Sequence, residues 1–297
     1  MMVQKNSIIK VIYYLQFVCY LILIILIYKT QLKLKKSVYT ILLLPLLFIT
    51  LLSTNNFCGT KNTSFKAGES ITYKIYYHFG KMNASAGEVT FSTKLDSYQG
   101  KTVYHVIGDG KTYKSYDWFF KVRDVYESFI DTATLLPLKF VRNVHEGSYT
   151  AFNNVQFNHN TNKAVSTRGV YPIKDCTQDV LSMIFYARNI DYNKYKPLDK
   201  IPFTMYIDDE SFDLSIKYIG KEKIKIGQGL FKAIKFQPQL IKGTLFKEDE
   251  KMIVWVTDDA NHIPLRIESE ITVGAIRADV INFKNVRNEM SSYLGRK

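Results

Sequence analysis

From Ser70 onward the chain alternates. Ile71, Tyr73, Ile75 and Tyr77 fall on one face, with Thr72, Lys74, Tyr76 and His78 on the other. Successive side chains on an extended backbone point to opposite sides, so a two-residue period in β-branched and aromatic residues predicts half-buried strands. Val89, Phe91 and Thr93 repeat the pattern, as do Phe203, Met205 and Ile207, and then Phe212, Leu214, Ile216 and Tyr218. Gly100, Gly108 to Gly110, Asn153 with Asn154, Gly220, and the pair Gly227 and Gly229 are predicted turns between them. Long antiparallel strands must close on themselves or have their edges covered. The expected fold is mainly β, a curved antiparallel sheet forming an open or closed barrel. Inward-facing aromatics would line a cavity, which suits a composition of 21 Tyr and 19 Phe. A filled core is the alternative.

One segment departs from this period. From Gln178 to Arg188, Val180, Leu181, Ile184, Phe185 and Ala187 recur at three- and four-residue spacings. That predicts one amphipathic helix, with Thr177 as its cap and Asp179 in its first turn. It is expected against the concave face of the sheet or across a barrel mouth. The β region also predicts two related halves. Pro137-Leu138-Lys139-Phe140 is echoed by Pro264-Leu265-Arg266-Ile267. Each follows an aspartate-bearing turn and an aromatic strand, around Trp118 to Phe120 or around Trp255.

Ahead of this region lie two apolar runs, 11–28 and 38–52, separated by Lys29, Lys33, Lys35 and Lys36. A basic flank, a short apolar core and a polar exit read as an export signal. The earlier run reaches the lower limit for spanning a bilayer. Two arrangements fit. In one, both runs span as N-terminal hydrophobic helices, the lysine loop inside and the remainder outside. In the other, translation begins near Leu32 or Leu34 and only a simple signal precedes the β region. The expected organisation is 1–36 for the first hydrophobic helix and basic loop, and 37–53 for the second helix or signal. A linker at 54–64, an exported β domain at 65–290 and a tail at 291–297 follow. The expected location is the cell envelope, with 65–290 on the periplasmic side.

The net charge of +13 invites a nucleic-acid reading, but position argues against it. Seven positive charges come from lysines 5, 10, 29, 33, 35, 36 and 61, and no acid precedes Glu69. The remaining excess is interrupted by acids such as Asp208, Asp209 and Glu210. Membrane topology explains the basic balance, with attraction to anionic lipid or polysaccharide as a further role. Of the three cysteines, Cys58 and Cys176 can pair in an oxidising compartment. Cys58 also invites a lipidation reading, though Asn55, Asn56 and Phe57 suit that processing poorly. The simpler expectation is a buried, unpaired Cys176 and no disulfide framework.

Phe65-Lys66-Ala67-Gly68-Glu69-Ser70 running into Ile71 to Tyr77 resembles the opening of a bacterial envelope family, domain of unknown function 3108. Ala86-Gly87-Glu88-Val89, the stretch from Tyr126 to Pro137, and Gln178-Asp179-Val180-Leu181-Ser182 match the same family's pattern. The resemblance covers roughly residues 65–287 and implies export and β architecture, but no reaction. Trp255-Val256-Thr257-Asp258 through Pro264-Leu265-Arg266 is similar, more loosely, to the lipoprotein-carrier open barrel, which shields acyl chains.

Catalytic signatures are sparse. His78, His105, His145, His159 and His262 lack the paired spacing of metal ligands. No Gly-x-Ser-x-Gly elbow occurs, and Gly108-Asp109-Gly110-Lys111-Thr112 reads as a hairpin turn rather than a phosphate loop. No cofactor is expected. The expected function is non-catalytic binding of a lipid or acyl chain in a β cavity lined by Trp118, Phe119, Phe120, Leu181, Ile184 and Phe185. The alternatives are a scaffold module of envelope assembly and, as a minor one, a hydrolase acting on envelope polymers. Expected partners are the membrane, through the N-terminal helices, and a lipid or polysaccharide, with no nucleic acid.

Overall fold

A computed structural model describes residues 58–80, 82–118, 120–241, 251–271 and 274–296. The apolar runs, and with them the hairpin and signal readings, lie outside the described residues. Among the described residues no helix is long and apolar enough to cross a membrane. The elements are β1 (Ser70–Phe79), β2 (Met82–Tyr98), β3 (Lys101–Thr112), β4 (Arg123–Asp131), β5 (Pro137–Glu146), β6 (Tyr149–Asn158), β7 (Lys163–Ser166) and β8 (Gly169–Pro172). Then come helix α1 (Val180–Ala187), β9 (Lys200–Ile207), β10 (Glu210–Ile226), β11 (Gly229–Pro238), β12 (Met252–Thr257), β13 (Pro264–Glu270), β14 (Ala275–Lys284) and β15 (Tyr293–Gly295).

All described strands belong to one antiparallel sheet, ordered β8-β7-β6-β5-β4-β3-β2-β1-β14-β13-β12-β11-β10-β9. The β1–β14 pairing, from Ser70↔Lys284 to His78↔Ala275, joins the first strand to the last long one. Residues beyond 290 are integrated as well, because β15 pairs with β11. The sheet remains open, with β8 and β9 as its edges. Side chains and a strap span this seam instead of ladder hydrogen bonds. Gln178 pairs with the β9 backbone, donating to Thr204 O (2.9 Å) and accepting from Tyr206 N (2.8 Å). The Phe157 ring on β6 meets Tyr206 on β9 edge-on at 5.6 Å. Arg142 reaches Asp208 at 2.5 Å, and Arg168 reaches Asp209 at 2.5 Å. These contacts blunt both edges against pairing with another chain.

Helix α1 is the single helix longer than one turn among the described residues, and it packs inside the curve of the sheet. Leu181 and Phe185 join Phe65, Val106, Ile130 and Leu135. Met183 joins Ile201, Ile216, Ile234 and Val254 from the opposite half. The helix therefore bridges the two halves. Its N-cap is Asp179 rather than Thr177, whose hydroxyl donates to Lys174 O instead (2.7 Å). Asp179 accepts from Leu181 N and Ser182 N, both at 2.8 Å, while Ser182 Oγ accepts from Asp179 N, completing a capping box.

Asp179 is fully buried, and burial pushes its carboxyl up to about 6 against the lowering effect of Ser128, Ser182 and Leu181. An unfolded aspartate titrates near ~3.9, so the folded state holds this proton more tightly. The associated stability is fully present below ~pH 4 and is lost as pH rises through about 6. The gap corresponds to roughly 3 kcal/mol. Asp179→Asn keeps an acceptor and removes the titration. Denaturant titrations should therefore show the wild-type-minus-variant difference moving by about that amount between pH 4 and pH 7, in favour of the variant at neutrality. A pH-independent difference would contradict the assignment.

The repeat is visible in backbone geometry. Asp131 N donates to Leu136 O at 2.9 Å, and Thr257 N donates to Ile263 O at 2.9 Å. Leu135 and His262 both adopt left-handed backbone, at φ 57° and 43°. Each turn is pinned by an aspartate, Asp131 Oδ1 accepting from Ala133 N and Asp259 Oδ1 from Asn261 N. A register shift precedes each turn, at Phe129/Ile130 and at Trp255/Val256. The strand before the first turn is β4, so the aromatic residues 118–120 do not belong to it.

Other expectations are corrected. Gly108 and Gly110 lie inside β3, Asn153 and Asn154 inside β6, and Gly220 inside β10 at a bulge. Composition alone cannot separate a turn glycine from one that lets neighbouring atoms approach within a strand. Cys176 is not a free packed thiol. It forms a disulfide with Cys58, closing a separation of 118 residues.

Candidate ligand groove

A partly open groove of about 360 Å³ lies between α1 and strands β1 to β4. Its chemistry follows from strand register. Gly108 sits between Phe91 on β2 and Tyr126 on β4, and Gly110 between Val89 and Asp124. The glycines remove two side chains from the middle of a wall whose neighbours are bulky. A Cβ on Gly108 would stand 3.0 Å from the Phe91 ring and 3.6 Å from Leu181 Cδ2. One on Gly110 would stand 3.4 Å from Val89 Cγ2. Leu181 and Ile184 supply the helical side, and Ile75 closes the β1 side. The surface is almost wholly apolar.

The polar groups gather where β3 ends and β4 begins. Thr112 and Val122 form the last pair there, Thr112 N donating to Val122 O at 3.3 Å. Asp124 lines the groove and accepts from His145 N at 2.9 Å. Burial raises both carboxyls, Asp124 against the pull of the His145 amide and Glu146 with help from the charge of Asp124. Tyr126 is pushed up to about 12, by burial first and Asp124 second.

The residues expected to line a cavity separate into three groups. Leu181 and Ile184 line the groove. Phe185 is buried in the core, 4.7 Å from the Phe65 ring. Trp118 and Phe120 are 84% and 49% exposed, on the loop after β3 rather than on an inward strand face. Phe119 lies outside the described residues. Asp117 in the same loop pairs with Arg123 at 2.6 Å. Gly108 and Gly110 were missed as groove formers. Their signal was present, since they continue the even-numbered alternation of Tyr104 and Val106.

Three histidines sit elsewhere. His105 alternates with the groove-facing residues of β3, so it lies on the other face, between Asp96 (3.3 Å) and Glu127 (2.6 Å). His159 and His262 contact the backbone carbonyls of Pro137 and Arg188. Among the described residues no group of three His, Cys, Asp or Glu could hold a metal ion.

No curated protein matches the sequence. A β-barrel-like protein of domain of unknown function 1849 from Brucella abortus is similar in structure, with a TM-score of 0.50 and 8% identity over 76% of this chain and 100% of that one. At such identity the likeness shows the fold alone. Two further structures match at lower scores. One is described as an exported protein with a YmcC-like fold from Bacteroides fragilis, at TM-score 0.32 and 10% identity over 74% of this chain and 97% of that one. The other is described as a lipoprotein from Parabacteroides distasonis, at TM-score 0.35 and 13% identity over 75% and 100%. Neither carries an argument about this chain.

The motifs that carried the resemblance now have structural reasons. Glu69 is buried against Arg188 at 2.5 Å. A Cβ on Gly87 would stand 2.3 Å from Lys111 O, so only glycine lets β2 and β3 approach there. Asp179 and Ser182 form the capping box of α1. The family model described as "Protein of unknown function (DUF3108)" matches residues 72–281, most of the chain and nearly all of its sheet, and the chain belongs to that family.

Proposed function

We propose that this domain binds the apolar part of a lipid or acyl chain in the groove between α1 and β1–β4, without catalysis. The observation that carries the reading is the apolar groove itself, made where Gly108 and Gly110 vacate a wall of large side chains. Its 360 Å³ lies near the lower end of the ~300–1,000 Å³ typical of ligand pockets, which suits a single chain. The basic-flanked apolar runs and the Cys58–Cys176 disulfide support an exported, oxidising location in the cell envelope.

Ile184 is half-buried on the groove face of α1, so Ile184→Asp should fold while placing an unpaired charge on the binding surface. With a dansyl-labelled fatty acid as probe, the wild type is expected to bind saturably. The variant should weaken binding at least about tenfold, about 1.4 kcal/mol. Failure of the folded wild type to bind, or equal binding by the variant, would sink the proposal. A filled-core scaffold role would then be the better reading.

One observation favours a second reading. Asp124 lines the groove and interacts with the Glu146 carboxyl, burial raising both, and such a pair can supply an acid and a base. A hydrolase acting on envelope polymers would use them so. In that case Asp124→Asn would abolish hydrolysis and leave probe binding intact.

A further inference from the structure

We infer that the groove selects its ligand by the length of a single unbranched apolar chain and leaves the head group unread. Such selection presupposes the chain binding proposed above and adds a measure of length to it. Strand register lays out successive rows across the groove wall. At the mouth Gly87 faces Thr112, whose amide meets Val122. The second row is Val89, Gly110 and Asp124, and the third is Phe91, Gly108 and Tyr126. The flanking side chains grow from row to row while β3 offers only glycine in the last two, so the channel narrows inward. Behind the third row come Thr93, Val106 and Ser128, all buried, with Leu181 and Phe185 packed against Val106. That row is an end wall. From Gly108 to Thr112 the strand advances about 13 Å, which bounds the tail the channel can cover.

The helix closes the same end. A Cβ on Gly108 would stand 3.6 Å from Leu181 Cδ2. At Gly110 the nearest three atoms would be Val89 Cγ2 (3.4 Å) and Asp124 O and Cβ (3.9 and 4.0 Å), with none from α1. The helix and sheet therefore part between Gly108 and Gly110. Both glycines lie outside the left-handed region, so backbone conformation requires glycine at neither. At Gly108 the 3.0 Å approach to the Phe91 ring accounts for the missing side chain. At Gly110 every contact of a Cβ would be ordinary, and a glycine inside a strand weakens it. What glycine supplies at 110 is room for a chain one row short of the end wall.

The polar side chains at the mouth are already engaged. Thr112 Oγ1 donates to Asp117 Oδ1 at 2.8 Å and accepts from Val122 N at 3.0 Å. Glu88 accepts from the Tyr113 hydroxyl at 2.6 Å, and the exposed Lys111 sits directly opposite it across β2 and β3, so the two charges offset each other. Asp124 accepts from His145 N and interacts with Glu146. In the inner row Tyr126 is pushed up to about 12 by burial and then by Asp124, so it stays neutral beside an apolar tail. A head group at the mouth meets partners that already have partners.

Saturated fatty acids from octanoate to palmitate, competed against the dansyl-labelled probe on the full chain, test this. Displacement that persists in Ile184→Asp is subtracted, because the N-terminal apolar runs can also take up such molecules. Affinity should rise about fourfold per added carbon while the tail fills the channel, then level off. Gly110→Val should move the levelling point at least two carbons shorter and weaken the longer acids at least about tenfold. Gly110→Ala adds one methyl at ordinary contact distance and should move it less in the same direction, which keeps the test open should valine disturb the strand. The matching fatty alcohols should level off at the same length as the acids. Affinity that climbs without levelling through palmitate would overturn length selection and leave chain binding intact. So would a levelling point that both Gly110 variants leave in place, or one that differs between acids and alcohols. Absence of any saturable displacement from the folded wild type would overturn both.

Discussion

Replacing Arg188 with methionine is expected to destabilise the domain by about 3–5 kcal/mol, the range for breaking a buried ion pair from one side. Arg188 is the C-cap of α1 and is 2% exposed, and Glu69 is likewise 2% exposed. The pair is bidentate, Nη1 to Oε1 at 2.5 Å and Nη2 to Oε2 at 3.0 Å. Nε donates to Asn261 O at 3.0 Å, and Nη2 also donates to Ser64 O at 3.2 Å. The guanidinium lies 5.6 Å from the Phe65 ring centroid and 5.5 Å from that of Phe185. One side chain thus ties the helix to the start of β1, to the β12–β13 turn and to the segment before Phe65. Its removal strands the Glu69 carboxylate in a dry interior, and that accounts for most of the loss. Glu69→Leu combined with Arg188→Met should recover at least about 2 kcal/mol relative to the sum of the singles, since apolar replacement of a whole buried pair is often nearly neutral. Urea unfolding of the four proteins measures this. A single variant within 1 kcal/mol of wild type, or strict additivity, would refute the account.

Reduction of Cys58–Cys176 should lower stability by about 2–5 kcal/mol, the chain-entropy term approaching ~4.7 for loops near 100 residues. The bond spans 118 residues, and long closed loops restrict the unfolded chain most. It also anchors the strap between β8 and α1, whose Gln178 pairs with β9 across the seam. Cys58→Ser and Cys176→Ser should each produce the same loss, and a reductant should add nothing further to either. Thermal unfolding with and without dithiothreitol tests this, with thiol titration as the independent check. Two free thiols in the native protein would contradict it. The same sulfur cannot carry a thioether-linked lipid, so mass spectrometry of the oxidised protein should find Cys58 without acyl modification.

Much of the fold was legible because period-two alternation is a local property. Ile71 to Tyr77, Phe203 to Ile207 and Phe212 to Tyr218 all lie in strands. The helix was legible for the same reason, its apolar spacing breaking the strand period. Asp208 and Asp209 turn the chain between β9 and β10, where Asp tolerates the left-handed backbone both residues adopt, at φ 51° and 67°. The groove was only half legible. Leu181 and Ile184 were identified from the helix face, but Gly108 and Gly110 looked like a turn. Trp118 and Phe120 looked inward because aromatic character was taken for burial. Their exposure depends on the path of the loop after β3, which carries no periodic signal.

The sequence by itself determined which stretches are strands, where the helix falls, that the halves resemble each other, and the family. All of these depend on residues near one another in the chain or on motifs of fixed spacing. Only the tertiary structure decided that the sheet stays open and is strapped across its seam. It also decided that Cys58 meets Cys176, that Arg188 meets Glu69, and that two strand glycines open a groove beneath α1. Each joins positions tens to more than a hundred residues apart, or depends on register between strands. Such meetings are set by how the whole sheet curves around the helix, which no local pattern records.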